Sequence, residues 1–143
     1  MTKTFAAQLQ DIADLTKQNM KYVATQSIQD VLRAAQTTQP GVRQTGGSFE
    51  VGKIPVETSE LVNSLTSEGV TGPASYVTAI ANMEIGDVLE FAWTAPYAHR
   101  IEAGFSGEDS LGRRYEVPGR FFVSTNAAKF SEFVAAREAE VRE

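Results

Sequence analysis

Residues 4–36 contain neither glycine nor proline, and their apolar side chains return every three or four positions. Phe5, Leu9, Ile12, Met20, Val23, Ile28, Val31 and Ala35 follow this period, while Gln, Lys and Asp fill the other positions. That is the signature of an amphipathic helix. The run ends at Thr37-Thr38-Gln39-Pro40-Gly41, because Pro40 disfavours helical geometry at Gln39 and Gly41 permits a turn. At 1.5 Å per residue the helix would be roughly 48 Å long. A domain of ordinary size cannot cover a rod of that length along its whole face, so part of it is expected to pack against another subunit.

The remainder reads as a smaller mixed region. Residues 37–54 are polar and glycine-rich, with Gly46 and Gly47 adjacent, and are expected to form a flexible arm in which Phe49 and Val51 add a short strand. In residues 55–118, Thr58 or Ser59 is placed to cap a short helix, with Glu60 in its first turn and Leu61 and Leu65 anchoring it. Tyr76, Val77, Thr78 and Ile80 favour a strand, and Leu89, Phe91 and Trp93 alternate with Glu90, Ala92 and Thr94 as a half-buried strand does. Glu84-Ile85-Gly86-Asp87 then turns an antiparallel hairpin, and Pro73 suits an edge or a strand start. Tyr97 to Gly104 reads as one or two helical turns closed by Gly104, followed by a polar loop from Phe105 to Val117. Residues 119–143 hold a second helix over 121–142, with Phe122, Phe130, Val134 and Val141 facing inward and Glu132, Arg137, Glu138, Glu140 and Arg142 outward. The expected fold class is α+β: a long N-terminal helix, a small antiparallel sheet and a C-terminal helix in one domain spanning 1–143.

Composition excludes several functions. A chain of 143 residues, 42% apolar, has enough material for a core and is neither a disordered tail nor a membrane protein. No stretch approaches the ~18 consecutive apolar residues of a spanning helix, and the N-terminus lacks the pattern of a signal peptide, so residence in a cytoplasm is expected. There is no cysteine, which removes disulfides, thiolate metal sites and cysteine nucleophiles. The formal net charge of −5 argues against generic nucleic-acid binding, which rests on Lys and Arg. Arg113 and Arg114, with Arg120 nearby, are the densest basic spot and read as a solvated loop or as ion-pair partners for a neighbour.

Catalytic readings find little support. His99 is the single histidine, and Glu102, three residues on, would touch it on a helical turn. Asp109 and Ser110 would complete a Ser-His-Asp set, yet no Gly-x-Ser-x-Gly turn is present. Glu57 with Glu60, and Glu84 with Asp87, are spaced like local caps and turns rather than like the acid pair of a hydrolase. Gly46-Gly47 lacks both glycine-rich phosphate-loop patterns. Phe121-Phe122 beside Arg120 suits packing better than base stacking. No catalytic residue, cofactor or metal ligand is expected.

Three segments, taken in order, carry a resemblance. Pro55-Val56-Glu57-Thr58-Ser59-Glu60-Leu61-Val62-Asn63-Ser64 resembles the P-(V/I)-(D/E)-T-G-x-L-R-x-S stretch of small neck and tail-completion proteins of long-tailed bacteriophages. Tyr97-Ala98-His99-Arg100-Ile101-Glu102-Ala103-Gly104-Phe105 resembles their YA-x-x-(I/V)-E-x-G segment, and Val117-Pro118-Gly119-Arg120-Phe121-Phe122 the (R/A)-x-F-(F/L) entry to their last helix. Ser59 stands where that pattern has Gly, and Val62 where Arg is common.

The resemblance implies a structural virion protein of the head–tail junction, not an enzyme, that assembles in the host cytoplasm with other neck and tail proteins. It implies a homo-oligomeric ring, a hexamer, whose lumen passes DNA without specific binding. An acidic wall would let DNA slide past. Gly46 and Gly47 in the arm, and Arg113 and Arg114 in the 105–118 loop, are the expected interface residues, with Tyr97, His99, Arg100 and Glu102 positioning the second loop. A tail terminator capping the tube is the nearest alternative. A dimeric interaction module outside any virus, joined through the long helix, is the alternative of another class.

Overall fold

The computed structural model describes residues 4–41, 45, 46, 48–56, 59–108, 111, 112 and 114–142, with the backbone alone at 108 and 114–116. The fold is α+β. Helix α1 (Phe5–Ala35) is capped by Thr4, whose Oγ1 accepts from the Ala7 N–H. Strand β1 (Thr38–Pro40) runs parallel to β2 (Ile54–Val56). Helix α2 (Glu60–Asn63) leads into β3 (Leu65–Ser67), which lies between β4 (Val70–Thr71) and β5 (Phe91–Trp93), antiparallel to both. Helix α3 (Ser75–Ala81) separates β4 from β5. Helix α4 (Ala98–Ala103) opens directly into a hairpin of β6 (Gly104–Glu108) and β7 (Arg114–Pro118). Helices α5 (Ser124–Ala127) and α6 (Phe130–Val141) close the chain.

The core is small. Phe122, Ile54, Leu61 and Ala95 form its centre, with Trp93 edge-on to Phe122 at 5.2 Å between ring centroids. Leu32, Ala35, Leu65, Ile80 and Met83 are also buried. Side-chain amides tie the loops to this core. Gln36, at the end of α1, accepts from Trp93 Nε1 at 2.7 Å and donates from Nε2 to the Val62 and Pro73 carbonyls. Gln39 donates to the Glu50 and Lys53 carbonyls and accepts the Glu50 N–H. Asn126 donates to the Gly52 and Phe122 carbonyls.

Several expectations are corrected. The described ends of the 37–54 segment are not a loose arm: Gln39 and Gly41 are buried, and Gln39 pins residues 50–53. Phe49 and Val51 form no strand, and Phe49 instead lies under the Arg120 guanidinium. Residues 76–80 are helical. Tyr76 and Ile80 are four apart, Ile80 packs inward, and alanines at 79 and 81 favour the helix that this burial selects. The partner of β5 is therefore β3, and the turn at residues 84–87 joins a helix to a strand. Leu65 is in β3 rather than in the short helix. Residues 105–117 are not a loop, since their ends pair as β6 and β7 with Phe105 opposite Val117.

The last helix is broken at Ala128 and Lys129, which lets α5 stay fixed by Asn126 while α6 turns to lie along α1. Phe130, expected inside, is 42% exposed, and α6 buries no residue fully. Arg137, expected outside, faces α1: its Nε and Nη2 donate to both Asp30 oxygens at 2.9 and 2.8 Å.

The Asp30 side chain is 14% exposed. Hydrogen bonds from Arg137 hold its carboxyl below the usual carboxylate range, against the opposing effect of burial. A carboxylate depressed in the folded state stabilises above its unfolded pKa, and that contribution disappears as pH falls through the folded value. Asp30→Asn should therefore cost about 1 kcal/mol at neutral pH. In urea unfolding the deficit should be full above about pH 4 and shrink as the pH is lowered further.

Candidate functional site

The three segments singled out in the sequence meet in space. The run before α2, helix α4, the base of the β6–β7 hairpin and Arg120 enclose a pocket of about 530 Å³. Its walls are largely apolar, from Pro55, Leu61, Tyr97, Ile101, Phe105 and Val117, and its charged lining residues are Arg100, Arg120 and Glu60. Arg100 stacks over the Phe105 ring at 4.3 Å.

Arg120 is the crosspiece. Its N–H donates to the Ile101 carbonyl and its carbonyl accepts from the Gly52 N–H, both at 2.7 Å. Its side chain is 4% exposed, stacks 3.9 Å from the Phe49 ring and donates from Nη1 to the Pro118 carbonyl. Among the described residues Nε has no hydrogen-bond partner. Burial lowers the guanidinium's hold on its proton, yet a group of this basicity stays charged.

Glu102 is a structural clamp. Its Oε1 accepts from the Val123 N–H at 3.1 Å and its Oε2 from the Ser124 N–H at 2.9 Å, at the start of α5. Both oxygens are thus turned to the backbone, and the expected contact with His99 is replaced by this one. Its carbonyl accepts from the Phe121 N–H. His99 is exposed on α4 and does not line the pocket.

Gly104 permits the next step of the chain. Its φ is +85°, and a Cβ there would stand 2.6 Å from the Val117 carbonyl oxygen and 2.7 Å from the Gly119 nitrogen. The hairpin can fold back against α4 only without a side chain at this position. Ser59 shows the same demand at the other wall. It has φ +63°, left-handed, and its side chain makes no capping bond to α2, so the capping role expected of it is corrected. Thr58 and Glu57 lie outside the described residues.

Of the expected interface residues, Tyr97 and Arg100 line the pocket, Glu102 braces it from behind and His99 faces solvent. Gly46 does not line the pocket, is exposed and has φ +74°. Gly47 and Arg113 lie outside the described residues, as does the side chain of Arg114, which begins β7. Asp109 and Ser110 are outside them too. The second pair of carboxylates has local duties: Asp87 Oδ2 accepts from the Glu84 N–H, and Glu84 pairs with Lys21 at 3.1 Å. Among the described residues no three His, Asp or Glu side chains gather where they would hold a metal ion.

Phe49, Phe105 and Arg120 are site residues that sequence reasoning missed in this role. Their signal was faint: an aromatic in a glycine-rich run, an aromatic after Gly104, and an arginine read as part of a solvated basic spot, a reading that the burial of Arg120 corrects. Searches of protein-family models, curated proteins and solved structures find no match to the chain.

The pocket offers apolar walls with charges of both signs at them, Arg100 and Glu60, while the Arg120 guanidinium is taken up by Phe49 and the Pro118 carbonyl. Two substitutions test the backbone that builds it. Ser59→Gly should raise stability by up to about 1 kcal/mol by removing left-handed strain, partly offset by the freer unfolded chain. Gly104→Ala should cost more than about 2 kcal/mol, because backbone rather than a movable side chain blocks the added methyl. Urea-unfolding midpoints of the two variants should move in opposite directions.

Proposed function

We propose that this protein is a structural subunit of the head–tail junction of a tailed bacteriophage, a neck or tail-completion component that works as a ring around the DNA path. The observation that carries the reading is the conformation of Ser59. The family pattern that the chain resembles has Gly at this position, and here the backbone is left-handed at φ +63°, the conformation in which glycine is favoured. The resemblance rests on residue types alone, so the backbone angle at Ser59 is a separate line of support.

The Glu and Gly of the second segment support the same reading. Glu102 clamps α5, and Gly104 lets the hairpin cross α4. These are architectural duties, as expected of a protein selected for shape and assembly rather than for turnover. The exposed apolar surface agrees with an assembled state. Among the described residues, fifteen large apolar side chains stay exposed, against nine buried apolar ones. In this reading the net charge of −5 keeps DNA from adhering to the ring.

The test is electron microscopy of particles made with the reading frame interrupted, for instance by a stop codon at Gln8. Filled heads separated from tails of normal length are the expected result. Separated, abnormally long tails would instead assign the tail-terminator role. Intact infectious particles would remove the junction from consideration.

A further inference from the structure

Two apolar surfaces of the chain are left uncovered, and one helix carries both. Residues 5–18 of α1 are exposed apart from the half-buried Ala7. Within them Phe5, Leu9 and Ile12 stand at i, i+4 and i+7, 75%, 51% and 63% exposed. The second surface is a groove of about 390 Å³ between the C-terminal half of α1, the 83–91 segment and the α5–α6 turn. Ile28, Val31, Leu89, Phe91 and Phe130 line it, and Asp87 is the one charged residue among its lining side chains.

We propose that the groove of one copy receives the Phe5, Leu9 and Ile12 face of a second copy of this chain. Spacing of i, i+4 and i+7 is how an amphipathic helix anchors in an apolar groove. The occupant cannot be the chain's own stripe. Ile12 and Ile28 lie roughly 24 Å apart along one continuous helix, which has no glycine or proline at which to fold back. Pairing of one stripe with another as a coiled coil is disfavoured by the same sequence. The alternating four-and-three seam through Phe5, Leu9 and Ile12 continues to Thr16 and Asn19, both polar, and the exposed Leu15 lies beside that seam rather than on it, whereas a coiled coil needs an apolar seam over several heptads.

Stripe and groove are different surfaces, so the contact is head-to-tail, the kind that closes into a ring when its rotation permits. Each contact involves only a few helical turns and is weak alone, while closure makes every subunit engage twice. The inference rests on the ring reading only for that closure, because the contact itself is a property of the isolated protein.

The absence of cysteine makes the test direct. Leu9→Cys and Ala127→Cys, the latter exposed on the groove, are made in separate full-length chains, mixed and treated with a short bismaleimide. A linked dimer abundant in the mixture and scarce with either variant alone is expected, and should be lost when Phe5→Asp and Ile12→Asp are added to the Leu9→Cys chain. Dominant linkage of Leu9→Cys to itself would establish stripe-to-stripe pairing and overturn the proposal. Linkage in the mixture that survives the two aspartates, or no linkage beyond the single variants, would overturn it as well. None of these results depends on virions, so a failed contact and a failed junction assignment are read separately.

Discussion

The packing of this protein depends on three side-chain amides. A core centred on four buried residues cannot alone hold connections as long as residues 37–53. Gln36, Gln39 and Asn126 supply the missing ties, each bonding to backbone carbonyls of other segments. Buried polar groups stabilise when fully paired and destabilise when half paired. Gln36 uses both ends of its amide and so links α1 to β5, α2 and the approach to α3 at a single point. Polar residues that look like loop filler in the sequence are therefore fixed parts of the interior.

The same logic reorders the acidic residues. Carboxylates in a small protein with one histidine invite an enzymatic reading, yet three of them hold the structure together. Glu102 holds the start of α5, Asp87 closes a turn and Asp30 takes the fork of Arg137. The unusual charge in the fold is instead a cation, Arg120, buried among Phe49, Pro118 and the pocket, its Nε without a partner among the described residues. It stands where α4, β7 and the segment before β2 converge, so the pocket and the fold share one keystone.

Helix α1 divides into two regimes. Its C-terminal half is covered by α3, α5 and α6 and is fastened through Asp30 and Gln36. Its N-terminal half extends past α6 into solvent with an apolar stripe still on it. A helix of this kind is stable locally because it continues a packed one, and its bare face is available for assembly.

The sequence by itself determined the long helix and its end, because an uninterrupted 3.6-residue period and a Pro-Gly stop are local signals. It also determined the glycine closing α4, the α+β class and the inward placement of Trp93 and Phe122, which follow from turn chemistry and alternation. Only the tertiary structure decided that residues 76–80 are helical, that β5 pairs with β3, that residues 105–117 contain a hairpin and that the last helix bends at Ala128. Propensities of β-branched and aromatic residues differ by less than the energy of burying one side chain, so Ile80 settled what Tyr76 and Val77 could not. Strand partners and the duties of Gln39, Glu102 and Arg120 depend on groups distant in the chain, and no local pattern encodes which distant group will be there.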